Sequence, residues 1–408
     1  MPDRNTALSD VVIVFNAGSS SLKFTVFQIE KRTTIKKLIK GRLEYDVDTF
    51  HFFASDQNDQ LIERATYPLL QKKPLEHLFD WLSKHEQGRH NIVGVGHRIV
   101  HGGPHFLAPV LVTPEVLTQL EALTPFAPLH QPQTLAPVHA ITDYRPDLIQ
   151  IACFDTAFHQ TMPDIARLLP LPRRYADKGV CRYGFHGLSY DFLTQRLHQI
   201  DPALAAGRTV LAHLGNGASL CALKDGKSLE TTMGFSALDG LMMGSRCGMI
   251  DPGALLYMIR EEKADWDTVV NTLYHQSGLL GVSGVSSDMR VLREHMDTEQ
   301  DPVLRGHVQQ ALTLSAYRIV EEIGALAAIM EGLDGLVFTA GIGEHDAQLR
   351  QDVCLALGWL GLKLDQDANI RHASIISSPD SAIRVRVEPT HEELVICQNV
   401  LPFVQDRL

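Results

Sequence analysis

The stretch VVIVFNAGSSSLKFTVFQ (residues 11–28) holds an apolar run, a polar tip and a second, alternating apolar run. The same order returns in TVLAHLGNGASLCALKDGKSLE (209–230). The run at 11–15 reads as a buried strand, and LKFTVFQI (22–29) alternates as a half-exposed strand does. The spacing therefore predicts a β-hairpin with NAGSSS at its tip. In the second copy, KDGK (224–227) adds an Asp-Gly turn that opens a further hairpin. Asn, Gly and Ser are ordinary turn residues, so one such tip alone reads as a turn. Backbone N–H groups in a Gly/Ser turn can also converge on an anion, and small side chains let a polyphosphate approach the main chain. Two matched tips in one chain point to a phosphate held between them, in a duplicated fold with a cleft between its halves.

Around the hairpins the chain mixes strands with helices. TPEVLTQLEAL (113–123) reads as a helix with Thr113 as N-cap and Pro114 at the first helical position. In DPVLRGHVQQALTLSAYRIVEEIGALAAIMEG (301–332), Val308, Leu312, Ala316, Ile319, Ile323, Leu326 and Met330 recur at steps of three and four, the stripe of an amphipathic helix. IACFDTAFHQ (151–160) reads as a strand ending at a polar tip, and DGLVFTAGIGEHDAQLR (334–350) as strand, Gly turn and helix. The pattern is that of an α/β protein. A length of 408 residues fits two domains, with a boundary expected near 150–160.

Bulk composition narrows the function. A formal net charge of -11 argues against a nucleic-acid binder, which needs a basic face. No apolar run approaches the ~20 residues that span a bilayer, and the polar start MPDRNTALSD lacks a signal-peptide core. The six Cys are scattered without a C-x-x-C pair, which argues against a zinc site or a disulfide framework and for a reduced, cytoplasmic protein. No G-x-x-x-x-G-K-[ST] occurs, and AGIGEHD lacks the third Gly of a dinucleotide fingerprint.

Ten motifs then occur in a telling order: VFNAGSSSLKF, GHRIVHGG (96–103), FAPLHQP (126–132), FDTAFHQTMP (154–163), RYGFHG (182–187), HLGNGAS, GSRCG (244–248), GVSSDMR (284–290), FTAGIGEH (338–345) and PTHEEL (389–394). In this order the chain resembles the acetate and propionate kinases, from about Val11 to Cys397. The resemblance implies a two-domain, actin-like ATPase (ribonuclease H-like) duplicated fold with the active site in the interdomain cleft. It implies a first domain of residues 1–155 joined by a C-terminal helix at 392–408, and a second at 156–391 carrying nucleotide contacts and a homodimer interface. The reaction implied is reversible phosphoryl transfer from ATP to acetate, dependent on magnesium, with manganese as a substitute.

Such a transfer needs alignment and charge neutralisation more than covalent chemistry. By resemblance, Arg98 and Arg246 hold the acid and the migrating phosphoryl, and His186, with His130 as a lesser candidate, stabilises the transition state. Asp155 is the acid/base candidate or a metal-positioning group; full proton abstraction is not needed, because acetate is already ionised at neutral pH. Asn16 and Glu392 match the magnesium site. Lys23, His213, Leu214, Gly215, Asn216 and Gly217 match contacts to the phosphates; Asp288, Met289 and Arg290 lie along the adenosine, and Gly341, Ile342, Gly343, Glu344 and His345 form the turn beneath it. Val100, Leu129, Phe185 and Ala237 match the walls of the small-acid pocket.

The chain also departs from that pattern. Gln131 stands for Asn, Leu188-Ser189-Tyr190 for Thr-Ser-His, His345 and His391 for Asn, and Ala237 for a Pro of the pocket wall. The smaller Ala237 leaves propionate, or another short-chain acid, as an alternative substrate. A nucleotide-driven conformational ATPase without an acid acceptor is the alternative of another class.

Overall fold

The computed structural model describes residues 8–18, 21–70, 73–84 and 90–408. The chain divides into two compact units, Met1–Ala157 with His391–Leu408, and Phe158–Thr390. In the first unit, β1 (Ser9–Ala17), β2 (Ser21–Glu30), β3 (Thr34–Tyr45), β4 (Thr49–Asp56), β5 (Leu61–Pro68), β6 (His90–Ile99), β7 (Val110–Leu111) and β8 (Gln150–Phe154) form one sheet. Its order is β5-β4-β3-β2-β1-β6-β8-β7. β1 pairs antiparallel with β2 and parallel with β6, and β6 pairs parallel with β8.

The residues of β1 explain its central place. Val11, Val12, Ile13, Val14 and Phe15 are all buried, as a strand covered on both faces must be. Full burial of such side chains contributes about 1.5–3 kcal/mol each. One face meets helices Pro74–Lys84 and Gln131–Tyr144 through Leu78, Phe79 and Ile141. The C-terminal helix Glu392–Val404 packs on β6, where an added Cβ on Gly94 would lie 2.8 Å from Val404 and one on Gly96 2.9 Å from Val400. Glycine at these strand positions is what lets the helix come so close.

The second unit builds its sheet from β9 (Arg208–Leu214), β10 (Ala218–Lys224), β11 (Lys227–Thr231), β12 (Gly335–Thr339) and β13 (Arg384–Val387), in the order β11-β10-β9-β12-β13. A three-strand antiparallel meander followed by two parallel crossover strands is the arrangement of β3-β2-β1-β6-β8 as well. The repeated hairpin is thus the start of a repeated sheet.

Local expectations are met where turn and cap chemistry is explicit. Asp225 and Gly226, at φ 52° and 72°, turn β10 into β11 with Lys224 opposite Lys227. Thr113 caps helix Pro114–Glu121 by accepting from Val116 N–H at 3.3 Å. The long helix runs from Pro302 to Ile329 behind the Asp301 cap, and the predicted stripe from Val308 to Leu326 is buried or nearly so. FTAGIGEH departs from expectation: the Gly turn is absent. Ala340, at φ 64°, bends the chain directly from β12 into helix Ala340–His345, so Gly341 and Gly343 are helical. Leu188, Ser189 and Tyr190 lie in the first turn of helix Gly187–Ile200.

Candidate active site

In the first unit, three parallel strands deliver side chains at their carboxyl ends, where open α/β sheets hold ligands. Asn16 and Arg98 are the penultimate residues of β1 and β6, and Asp155 directly follows β8. The register sets Phe15 beside His97, so Asn16 and Arg98 stand level, and sets Arg98 beside Cys153, two residues before Asp155. Arg98 grips Asp155 side-on, with Nε 2.9 Å from Oδ1 and Nη2 2.7 Å from Oδ2. Its Nη1 donates to Asn16 Oδ1 at 3.2 Å and lies 3.6 Å from Glu392 Oε2, at the first residue of the C-terminal helix. Asp155 is buried, so this bidentate pair is a charge-assisted contact in a low dielectric.

Electrostatics sharpen the picture. Burial pushes the Glu392 carboxyl up to about 7, with Asp155 and Glu393 adding to the rise and Arg98 opposing it. Burial works against the Arg98 charge too, but Asp155 and Glu392 outweigh it and hold the guanidinium protonated. The charged form of Glu392 is therefore disfavoured chiefly by its burial. Asn16 Oδ1 and Glu392 Oε2 both lie near Arg98 Nη1, so two hard oxygen atoms stand close together, the ligand type taken by a magnesium ion that keeps most of its water. Among the described residues no trio of His, Cys, Asp and Glu is gathered in metal-binding geometry.

The remaining expected residues of this unit are more dispersed. Lys23 faces Asn16 across the β1–β2 hairpin and its side chain is exposed. The hairpin closes with Gly18 N–H to Ser21 O at 2.7 Å, and Ser19 and Ser20 of the expected tip lie outside the described residues. Val100 is buried just past β6, while Leu129 and His130 are half-buried before helix Gln131–Tyr144. Gln131, one of the departures, is fully buried and works as a clamp. Its Oε1 accepts from His101 N–H at 3.2 Å, and its Nε2 donates to the carbonyls of His101 and Leu120, both at 3.1 Å. The longer amide thereby ties the GHRIVHGG loop to the helix, a role sequence reading had missed.

In the second unit the other tip is the centre. Leu214 pairs with Ala218, and Gly215 N–H donates to Gly217 O at 3.0 Å, leaving Gly215, Asn216 and Gly217 as the turn. A Cβ added to Gly217 would lie 2.8 Å from Arg246 Nη2 and 3.2 Å from His186 Nε2, so two cationic or N–H donors face this glycine. Gly244 N–H donates to Asn216 O at 3.2 Å, which fixes the GSRCG loop to the tip. Arg246 Nη1 donates to Ala237 O at 2.5 Å. His186 stacks on His213 with ring centroids 4.2 Å apart. Phe185 is buried, and its carbonyl accepts from His159 Nε2 at 2.9 Å. Burial lowers the pKa of both His159 and His97 to about 4, so these two are neutral, structural histidines.

Leu214, Gly215, Met289 and Ile342 line one small cavity, which joins three segments expected at the nucleotide. Asp288 caps helix Met289–Thr298 and pairs with the exposed Arg290 at 2.7 Å. Helix Ala340–His345 is held from beneath by Arg350, which is fully buried and donates to the carbonyls of Gly343 and Glu344 at 2.9 and 2.8 Å. Nothing local in the sequence marks Arg350, because its partners lie in different elements. His345 lies edge-on to His372, with ring centroids 6.2 Å apart.

The doubled sheet and these two constellations define an α/β protein with the actin-like ATPase fold, and comparison with known proteins agrees. Solved structures of a Porphyromonas gingivalis acetate kinase (34% identity, TM-score 0.86, 97% of this chain and 100% of that one) and a Francisella tularensis propionate kinase (32%, 0.86, 96% and 98%) share it. Residues 11–398 match the acetokinase family. An acetate kinase of Rhodopseudomonas palustris (strain TIE-1) is 45% identical over 402 residues, 96% of this chain and 98% of the relative. One of Methylocella silvestris is 42% identical over 408 residues, 97% and 98%. The chain belongs to the acetokinase family.

Proposed function

We propose that the protein is an acetate kinase that transfers the γ-phosphoryl group of ATP directly to acetate, giving acetyl phosphate and ADP, reversibly and with magnesium. The observation that carries this reading is Arg98, gripped side-on by a buried carboxylate at the ends of three parallel strands. A guanidinium so held presents donors to an anion without the entropy cost of finding its place. An acetate oxygen attacks the γ-phosphorus in line as the bond to the β–γ bridging oxygen breaks, and ADP carries that oxygen away. Asp155 has both oxygens on Arg98, which supports a positioning role over that of a base. Arg246 and His186, both facing Gly217, supply donors to the phosphoryl in transit. Asn16 and Glu392 would hold magnesium, whose charge offsets that of the phosphates.

The decisive experiment follows ADP release from ATP with acetate, propionate, butyrate or no acid. Acetate is expected to give the highest kcat/KM and propionate a measurable one, since Ala237 replaces a pocket proline and one methylene is worth about 1–3 kcal/mol in such pockets. Chelating the divalent cation should stop turnover, and manganese should restore it. Steady ADP release that ignores every acid would instead favour a nucleotide-driven conformational ATPase, and propionate turnover above that on acetate would reassign the substrate.

The reading extends to a homodimer. Helix Pro252–Arg260 has no buried residue although it carries Leu255, Leu256, Tyr257, Met258 and Ile259, and Leu256 is 67% exposed. An apolar helix left in water is costly, and such patches mark protein–protein contacts. Light scattering should find a dimer for the natural chain and a monomer for Leu256→Glu with Tyr257→Glu; a natural chain that is itself monomeric refutes this. No helix among the described residues is long and apolar enough to cross a membrane. The cytoplasm, where thiols stay reduced, suits the six free cysteines.

A further inference from the structure

His186 stands at the N-terminal edge of helix Gly187–Ile200 in the left-handed region, at φ 58°, and Tyr190 lies one turn further on the same face. Both side chains reach one atom of β10. Ser219 Oγ is 2.8 Å from His186 Nδ1 and 2.5 Å from Tyr190 Oη. Tyr190 and Ser219 are wholly buried, so each hydroxyl proton must find an acceptor.

Counting donors and acceptors orders the chain. The phenol oxygen also meets the backbone N–H of His213, which can only donate, so the phenol proton has Ser219 Oγ as its acceptor. Burial pushes the Tyr190 phenol well above its ordinary pKa, which keeps that proton in place. Ser219, having accepted from the phenol, turns its own proton towards His186 Nδ1. An Nδ1 that accepts leaves the neutral imidazole with its proton on Nε2. Nε2 is the atom that faces Gly217 beside Arg246 Nη2.

We propose that Tyr190, acting through Ser219, is a positioning residue that holds His186 in the Nε2–H tautomer, aimed to donate to the phosphoryl group in transit. The proposal rests on the acetate kinase reading for its consequence, but the tautomer itself is independent of that reading. It gives a physical role to a residue where this chain departs from the Thr-Ser-His pattern. The preceding residue, Ser189, which keeps the Ser of that pattern, works in parallel, since its Oγ meets His213 Nδ1 at 2.9 Å. The Tyr190 ring is separately packed edge-on against His159, with centroids 5.6 Å apart, so removing only the hydroxyl leaves the packing intact.

The test uses the full chain with 15N-labelled histidine, the His186 signals being assigned by their loss in His186→Asn. Two-bond 15N–1H correlations at pH 8 read the tautomer without substrate. The natural chain is expected to show protonated Nε2 and bare Nδ1. Tyr190→Phe and Ser219→Ala should show mixed tautomers, with kcat lowered on the order of tenfold and KM for ATP and acetate unchanged. Protonated Nδ1 in the natural chain overturns the proposal, as does a Tyr190→Phe protein that keeps both tautomer and kcat. A Tyr190→Phe loss of melting temperature with tautomer and kcat intact marks a purely structural hydroxyl and overturns it equally. Absence of acetate turnover in the natural chain counts against the kinase reading and leaves the tautomer measurement to decide this one.

Discussion

Arg98→Ala is expected to lower kcat on the order of 10³-fold and to destabilise the protein at the same time. The guanidinium bonds both Asp155 oxygens and also meets Asn16 and Glu392. Its removal strands a buried carboxylate, which costs about 3–5 kcal/mol when one member of a buried pair is deleted. Arg98→Lys separates the two effects. It restores a charge but not the planar fork, so folding should recover further than turnover. Steady-state kinetics paired with thermal melts check this, and near-natural kcat in the alanine variant would remove Arg98 from the chemistry.

Arg246→Ala is expected to cost a similar factor in kcat, on the order of 10³-fold. Arg246 Nη1 donates to the backbone carbonyl of Ala237, which aims the guanidinium from the GSRCG loop. Thermal melts taken beside the kinetics separate this loss from a folding defect, and near-natural kcat in the alanine variant would remove Arg246 from the chemistry. Gly217→Ala gives a finer probe of the same place. The new methyl would lie 2.8 Å from Arg246 Nη2 and 3.2 Å from His186 Nε2, forcing both donors aside. Displacement of this kind by about 1 Å costs about 10²-fold. A Gly217→Ala enzyme with natural kcat would show that these donors do not act on the reacting group.

Much of this was legible in the chain itself. Two apolar–tip–apolar runs gave away both hairpins, Thr113 and Pro114 marked a helix start, and the stripe from Val308 to Leu326 marked the longest helix. These signals are local: periodicity, caps and turn residues act within a few positions. The ten ordered motifs carried the family, and through it the candidate residues.

What the chain could not reveal by itself was which atoms meet. Arg98 and Asp155 stand 57 positions apart, Tyr190 and Ser219 29, and Arg208 and Asp334 126. Their contacts depend on strand register and on which crossover strand lies beside which, and a one-residue slip would turn each side chain to the opposite face. The same holds for Ala340, whose left-handed bend replaces the expected Gly turn because Arg350 and β12 hold the following helix in place. Sequence determined the elements, the duplication and the family; tertiary structure alone decided the Asp155 grip on Arg98, the Gln131 clamp and the Tyr190–Ser219–His186 chain. Local chemistry shapes a segment, whereas convergence of side chains is settled only when the sheet closes its register.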